Sequence, residues 1–221
     1  MQEALRGGVD WVQLRHKSAA AAALYAEADA LRAEVHAHGA RLAINDRLDV
    51  ALTVGADGVH LAGQSLPVAP AVELGGGRLL VGRSVHGLDE AVAAAQAGAD
   101  YLTFGHVFPT TSHPGVPPRG LAELAAIVAA VDVPVLAIGG ITVDNLPAVL
   151  ATGCAGIAVI SAILADPDPA RAAERLRTTL ERSPGTPRRP FPDTPPGSPP
   201  ATHPTRPQGE MHAAHREPTT V

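Results

Sequence analysis

The stretch AGADYLTFGHVFPTTSHPG, residues 97–115, decides the fold. Gly98 stands where a helix would end, because glycine takes the left-handed cap conformation without steric cost. Tyr101 to Val107 then form an apolar run without polar alternation, the mark of a strand buried on both faces. Near its end the run delivers an imidazole, His106. It passes into a loop of hydroxyls, Thr110, Thr111 and Ser112, and a second imidazole, His113. The same punctuation recurs in VGADG (54–58) and TGCAG (152–156), each just before another apolar run. Strands are predicted at 11–15, 41–45, 58–61, 79–85, 101–107, 133–140 and 156–163. Ala-rich helical stretches separate them at 18–38, 47–54, 67–74, 87–97, 119–130, 143–152 and 168–181. Seven such units predict an α/β fold, a (β/α)8 TIM barrel lacking its first strand in this chain. The opening MQEALRGGVDWVQL reads as the end of a helix entering a strand. The competing architecture, an open doubly wound sheet, wants a Gly-rich dinucleotide turn after its first strand, and there is none.

The 221 residues suffice for one domain with a sizeable core. Aromatics are 3% of the chain against 46% hydrophobic residues, so the core must be built from Ala, Val, Leu and Ile. A net charge of −5 gives no reason to expect nucleic acid or an anionic membrane as partner. No apolar run approaches the ~20 residues of a membrane span. Cys154 is the single cysteine, which excludes an intrachain disulfide and suggests a reducing, cytoplasmic setting. Met1 to Asp10 is polar and helix-like, so no signal peptide is expected. Composition changes near Ser183: the last segment holds 11 of the 21 prolines and almost no aliphatic residues. The expected organisation is a barrel domain over 1–182 and a disordered Pro-rich tail over 183–221 with too little apolar surface to aid folding. Its histidines, His203, His212 and His215, are too scattered for a metal site.

In a TIM barrel function gathers on the loops after the strands' C-terminal ends. The polar residues obey that rule. VQLRHK supplies Gln13, Arg15 and Lys17 at alternate positions. AIND supplies Asn45 and Asp46, VGRSVH supplies Ser84 and His86, and FGHVFPTTSH supplies His106, Thr110, Thr111, Ser112 and His113. The turns AIGGI and VISAI offer Gly139, Gly140, Ile160 and Ser161 as a backbone cradle for phosphate, against the plainer reading of a tightly packed turn. His60, inside GVHL, reads as a structural histidine bonded to a neighbouring strand. His36 and His38 read as surface residues, His16 has no assigned role, and Cys154 reads as packing.

Seven motifs in order, VQLRHK, AINDR, ADGVHL, VGRSVH, ADYLTFGHVFPT, PVLAIGGI and GCAGIAVISAI, resemble the thiamine phosphate synthase superfamily from about Gly7 to about Leu180. The resemblance implies a phosphate-binding barrel of thiamine biosynthesis with a small thiazole phosphate as partner. It leaves two enzymatic branches. The synthase couples a pyrimidine diphosphate to a thiazole phosphate and expels pyrophosphate with Mg²⁺. The thiazole tautomerase aromatises a carboxylated dihydrothiazole phosphate by proton transfer, with no cofactor. The synthase pattern has a second metal-binding Asp where this chain has Ser65, and a pyrophosphate-binding Lys where it has His113. Asp46 alone matches its metal carboxylates. The FGHVF of the tautomerase branch matches Gly105 to Phe108, and PRGL (118–121) also matches. The expected activity is therefore the tautomerase, an isomerase, with His106 as general acid/base and no metal. Gln13, Arg15, Lys17, Asn45, Asp46, Ser84, His86, Thr110, Thr111 and His113 are the expected substrate contacts. The synthase, with Mg²⁺ on Asp46, and a non-catalytic thiazole phosphate binder are the alternatives. The missing strand would leave two unpaired edges. Either the true start lies upstream, or a second chain covers the gap, as in a homo-oligomer.

Overall fold

A computed structural model describes residues 1–183, 187, 189, 191 and 192. Helix α1 (Gln2–Arg6) runs into β1 (Trp11–Leu14). Then follow α2 (Ala21–Ala37), β2 (Arg41–Asn45), α3 (Leu48–Val54), β3 (Gly58–Leu61), α4 (Val68–Gly75), β4 (Leu80–Val85), α5 (Leu88–Gln96) and β5 (Tyr101–Gly105). The chain continues through α6 (Gly120–Ala130), β6 (Val135–Ile138), α7 (Leu146–Leu150), β7 (Gly156–Ala158), α8 (Ser161–Leu164) and α9 (Pro169–Arg182). The seven strands form one parallel sheet in the order β1 to β7, each paired with the next. The architecture is therefore a curled parallel sheet wrapped by helices, compatible with the expected barrel.

The continuous apolar runs explain the burial. Leu42, Ile44, Val59, Leu61, Leu80, Leu102 and Phe104 are fully buried, as strands packed on both faces must be. Each such side chain contributes roughly 1.5–3 kcal/mol on leaving water. β7 differs, because all three of its residues are only half-buried. The predicted strand 156–163 is corrected here: it stops at Ala158, and Ser161 opens α8. A short apolar run fits strand and buried helix equally well, which is why VISAI misled.

The repeated punctuation has a hydrogen-bonding purpose. The Asp57 N–H donates to Leu42 O, and the Asp57 carboxylate accepts from Leu42 N, each at 2.8 Å. Asp100 does the same with Val81, at 2.8 and 2.7 Å. One residue thus closes a two-point clasp on the start of the preceding strand. Ala155 keeps the backbone half, donating to Val135 O at 2.8 Å, but has no carboxylate.

Most of the 183–221 segment, including His203, His212 and His215, lies outside the described residues. Arg189, Phe191 and Pro192 are described, and they touch the strand-start end of the sheet. The Phe191 ring lies 5.2 Å from Trp11 and 5.0 Å from Tyr101, and Arg41 donates to Pro192 O. Composition gave no sign of this contact. Room for the aromatics comes from glycines: a Cβ on Gly82 would sit 2.1 Å from the Tyr101 ring, and one on Gly58 would sit 3.1 Å from Trp11.

Candidate active site

Register brings the polar residues to one end. Asn45 lies opposite His60, Ser84 opposite Thr103, and Gly105 opposite Ile138. All but Thr103, which is mid-strand, stand at or beside the C-terminal ends of their strands. Gln13 Nε2 donates to Asn45 Oδ1 at 2.8 Å, and Asn45 Nδ2 donates to Asp46 Oδ2 at 2.6 Å. Ser65 Oγ donates to Asp46 Oδ1, which also accepts from Ala62 N at 3.2 Å. Asp46 adopts φ 63°, a left-handed conformation that Asp tolerates better than most residues. The turn aims its carboxylate across at the loop after β3. Arg83 donates to Ala62 O on the same loop. Sequence reading missed Arg83, although a cation inside LLVGRSV was a visible signal.

Arg15 and Lys17 are exposed beyond the end of β1, without a hydrogen-bond or ion-pair partner among the described residues. Ser84 is half-buried, and its Oγ lies 2.8 Å from His60 Nε2. His60 is only 2% exposed, and burial depresses its pKa to about 4, against a pull upward from Asp46 and a further push down from Arg83. His86 turns toward the start of α5, where its backbone N–H donates to Glu90 at 2.8 Å and its ring lies 3.4 Å from the same carboxylate. It does not join the cluster formed by Gln13, Asn45, Asp46 and Ser65.

The loop after β5 brings two imidazoles together. The rings of His106 and His113 stack at 5.0 Å with 14° between their planes. His106 is buried, His113 exposed. His106 Nε2 lies 3.2 Å from Val116 O, and a carbonyl can only accept, so Nε2 carries a proton. Thr110 Oγ1 accepts from Ser112 N at 3.3 Å, and Thr111 is exposed.

Gly139 and Gly140 both have positive φ. A Cβ on Gly139 would lie 2.3 Å from His106 Cβ, and one on Gly140 would lie 2.5 Å from Pro109 O. Packing of the β6 turn under the β5 loop is therefore reason enough for both glycines. Ile160 is 62% exposed and Ser161 is exposed at the start of α8.

Residues 1–163 match the sequence profile of the family described as thiamine monophosphate synthase. The chain belongs to this family. It is 43% identical over 181 residues to the thiamine-phosphate synthase of Pyrococcus horikoshii, covering 82% of this chain and 87% of that one. It is 44% identical over 186 residues to the thiamine-phosphate synthase of Chlorobium limicola, covering 82% and 87%. A solved structure, the thiamine phosphate pyrophosphorylase of Pyrococcus furiosus, superposes with a TM-score of 0.77 at 43% identity, over 83% of this chain and 89% of that one. A 3-hexulose-6-phosphate synthase at 24% identity and TM-score 0.60 shares the fold.

These relatives correct the expected activity. Close members of the thiamine monophosphate synthase family are named for a transferase, so the tautomerase reading, with its isomerase class, is set aside in favour of the synthase. Its mainstay was His106 in FGHVF. That residue has a structural explanation: Gly139 packs against its Cβ and its ring donates to the loop carbonyl.

The family's magnesium can be tested against the donors. Among the described residues no group of three or more His, Cys, Asp or Glu side chains could hold a metal. Mg²⁺ keeps several waters and is commonly bound by one or two carboxylates plus substrate phosphates. Asp46 is the one carboxylate here. Ser65 and Ala62 occupy its Oδ1, whereas among the described residues Oδ2 accepts only from Asn45 and retains a lone pair. The residues fit Mg²⁺ as a one-carboxylate site in which a diphosphate brings the remaining ligands. Among the described residues, no helix is long and apolar enough to cross a membrane.

Proposed function

We propose that this chain is a thiamine phosphate synthase, a transferase that couples hydroxymethylpyrimidine diphosphate with thiazole phosphate and expels pyrophosphate. The observation that carries the reading is the run Gln13–Asn45–Asp46–Ser65 at the strand ends, in a chain 43–44% identical to named synthases. Mg²⁺ held at Asp46 Oδ2 supplies neutralisation of the diphosphate charge when bound.

The chain's own groups do the rest. As the carbon–oxygen bond breaks, negative charge grows on the departing diphosphate, and donors and cations aimed at it stabilise that change. Arg15 and Lys17, without a partner among the described residues, are two cations at the rim. Ser84, Thr110 and His113 add donors along the same end, His113 standing where the synthase pattern has Lys. Asn45, clasped by Gln13, holds the Asp46 carboxylate in line. The turn at Gly139 and Gly140 with Ile160 and Ser161 is the proposed seat of the thiazole phosphate.

The experiment is a coupled assay with both substrates and Mg²⁺. Thiamine phosphate and pyrophosphate should form in equal amounts, and EDTA should stop both. Binding of thiazole phosphate without release of pyrophosphate would overturn the reading and leave a binding protein.

A further inference from the structure

We propose that His60 is a positioning residue which fixes the Ser84 hydroxyl as a donor toward an anionic ligand oxygen at the strand-end mouth. The inference deepens the synthase reading and rests on it for the identity of the anion. Three hydrogen-bonded side chains on β5, β3 and β4 form a line through the interior, with the Trp11 ring of β1 packed at its inner end. The Trp11 ring meets the Tyr101 ring edge to face, with centroids 6.1 Å apart. Tyr101 Oη lies 3.2 Å from His60 Nδ1, and His60 Nε2 lies 2.8 Å from Ser84 Oγ. Tyr101 is 1% exposed and His60 2%, so each polar atom must be satisfied within this line.

A neutral imidazole has one donor and one acceptor nitrogen, which allows two directions. In one, Ser84 donates to Nε2 and Nδ1–H donates to the phenol oxygen, leaving the phenol hydrogen without an acceptor in this line. In the other, the phenol donates to Nδ1 and Nε2–H donates to Ser84 Oγ. Burial decides between them: at 1% exposure the phenol hydrogen needs an acceptor, and among the described residues His60 Nδ1 is the hydrogen-bond partner of Tyr101 Oη. The phenol therefore donates to Nδ1, and Nε2–H donates to Ser84 Oγ. The line then runs Tyr101, His60, Ser84, each donating to the next. A ring with Nδ1 accepting and Nε2 donating satisfies both partners of this 2% exposed side chain.

The consequence falls on the half-buried end. Ser84 Oγ already accepts from His60, so its own hydrogen is free to point into the mouth. It suits an oxygen that only accepts, such as one on a phosphate or diphosphate, and opposes an N–H or ammonium group in the same place. His60 never touches the ligand; it sets which way Ser84 speaks.

The test has two arms. Long-range ¹H–¹⁵N spectra of labelled imidazoles at pH 7.5 should show His60 with its proton on Nε2 and a bare Nδ1. Tyr101→Phe, which keeps the ring and its packing, should give a mixture of tautomers. By calorimetry with inorganic pyrophosphate and Mg²⁺, Ser84→Ala should weaken binding about tenfold, the worth of one good hydrogen bond to a charged group. Tyr101→Phe should weaken it about threefold, and the double variant no further than Ser84→Ala alone. A Nδ1-protonated His60 in the unmutated protein overturns the relay, as do additive effects in the double variant. Failure of the unmutated protein to bind pyrophosphate, with the tautomer as expected, counts against the synthase reading and against an anion as Ser84's partner.

Discussion

Ser65 donates its hydroxyl hydrogen to Asp46 Oδ1, leaving Oδ2 as the oxygen of that carboxylate with room for a cation. The serine stands where the synthase pattern has a second carboxylate, so the metal site should be weak until the diphosphate arrives. Asp46→Asn should lower kcat at least about a hundredfold, since it removes the one protein charge facing the metal. Ser65→Asp should lower the Mg²⁺ concentration for half-maximal rate about tenfold, through ligand charge count. It should also lower Tm without metal, because two carboxylates then face each other. An unchanged Mg²⁺ requirement in Ser65→Asp would remove Asp46 from the metal site.

His60 gives stability a pH dependence. Its folded pKa is about 4, and the unfolded histidine titrates near 6.5. Between these values the unfolded chain takes up a proton that the folded chain refuses. The stabilisation is complete above about pH 6.5 and is lost as pH falls toward 4, amounting to about 3 kcal/mol. Asp46 and Arg83 face the ring with opposite effects, and Tyr101 stays neutral because burial raises its pKa. Urea melts between pH 4 and 7.5 should show this slope, and His60→Gln should flatten it. A slope unchanged in that variant would assign the acid loss to other groups.

The Asp100 clasp separates hydrogen bonding from charge. Burial raises the Asp100 pKa, so the ionised form is disfavoured where it sits. Asp100→Asn keeps an oxygen for Val81 N and removes the charge, and should be as stable as the unmutated protein at pH 7. Asp100→Ala strands that N–H and should cost roughly 1–3 kcal/mol by denaturant melts. Equal stability of the Ala and Asn variants would mean that the carboxylate adds nothing.

Trp11 is the single tryptophan, which makes the Phe191 contact visible by fluorescence. Phe191→Ala, or removal of residues 184–221, should shift its emission to longer wavelength and raise its quenching by acrylamide. Tm should fall by a few degrees, as expected for loss of one partly buried aromatic. Unaltered emission would place Phe191 away from Trp11 in solution.

Gly139→Ala should lower Tm strongly, because its Cβ would fall 2.3 Å from His106 Cβ at a backbone conformation that L side chains resist. Gly140→Val reports the same crowding, so a raised KM there cannot by itself locate a phosphate. Ser161→Ala, on an exposed side chain, separates the two causes: it should raise KM for thiazole phosphate with Tm unchanged.

Much of the fold was legible because each unit repeats the same signals. Strands β1 to β5 start within a residue of their predicted positions, since a doubly buried strand in a parallel sheet has no other use for an unbroken apolar run. The end of β7 was not legible: Val159, Ile160, Ala162 and Ile163 suit a strand and a helix alike. Asn45, Asp46 and Gln13 were readable as strand-end residues, and they meet. His86 was read by the same rule yet turns to Glu90, because an acid one helical turn away is a local partner that parity ignores. His60 was rightly tied to a neighbouring strand, but its bond to Ser84 depends on a register that no local pattern encodes. The tautomerase reading failed because His106 was weighed by its neighbours in sequence, while its fixing contacts come from Gly139 and Val116.

The missing carboxylate at Ala155 sets an order of unravelling. Leu42 and Val81 are each gripped twice by the residue that opens the next strand, whereas Ala155 grips Val135 with its backbone alone. β7 is also short and half-buried. Amide protons of Gly156 to Ala158 should therefore exchange with solvent fastest among the strands, and those of β2 to β4 slowest. The sheet peels from its last strand inward, so Gly139, Gly140 and Ser161 sit on the least durable seam while Asp46 and Ser84 stand on the most durable one.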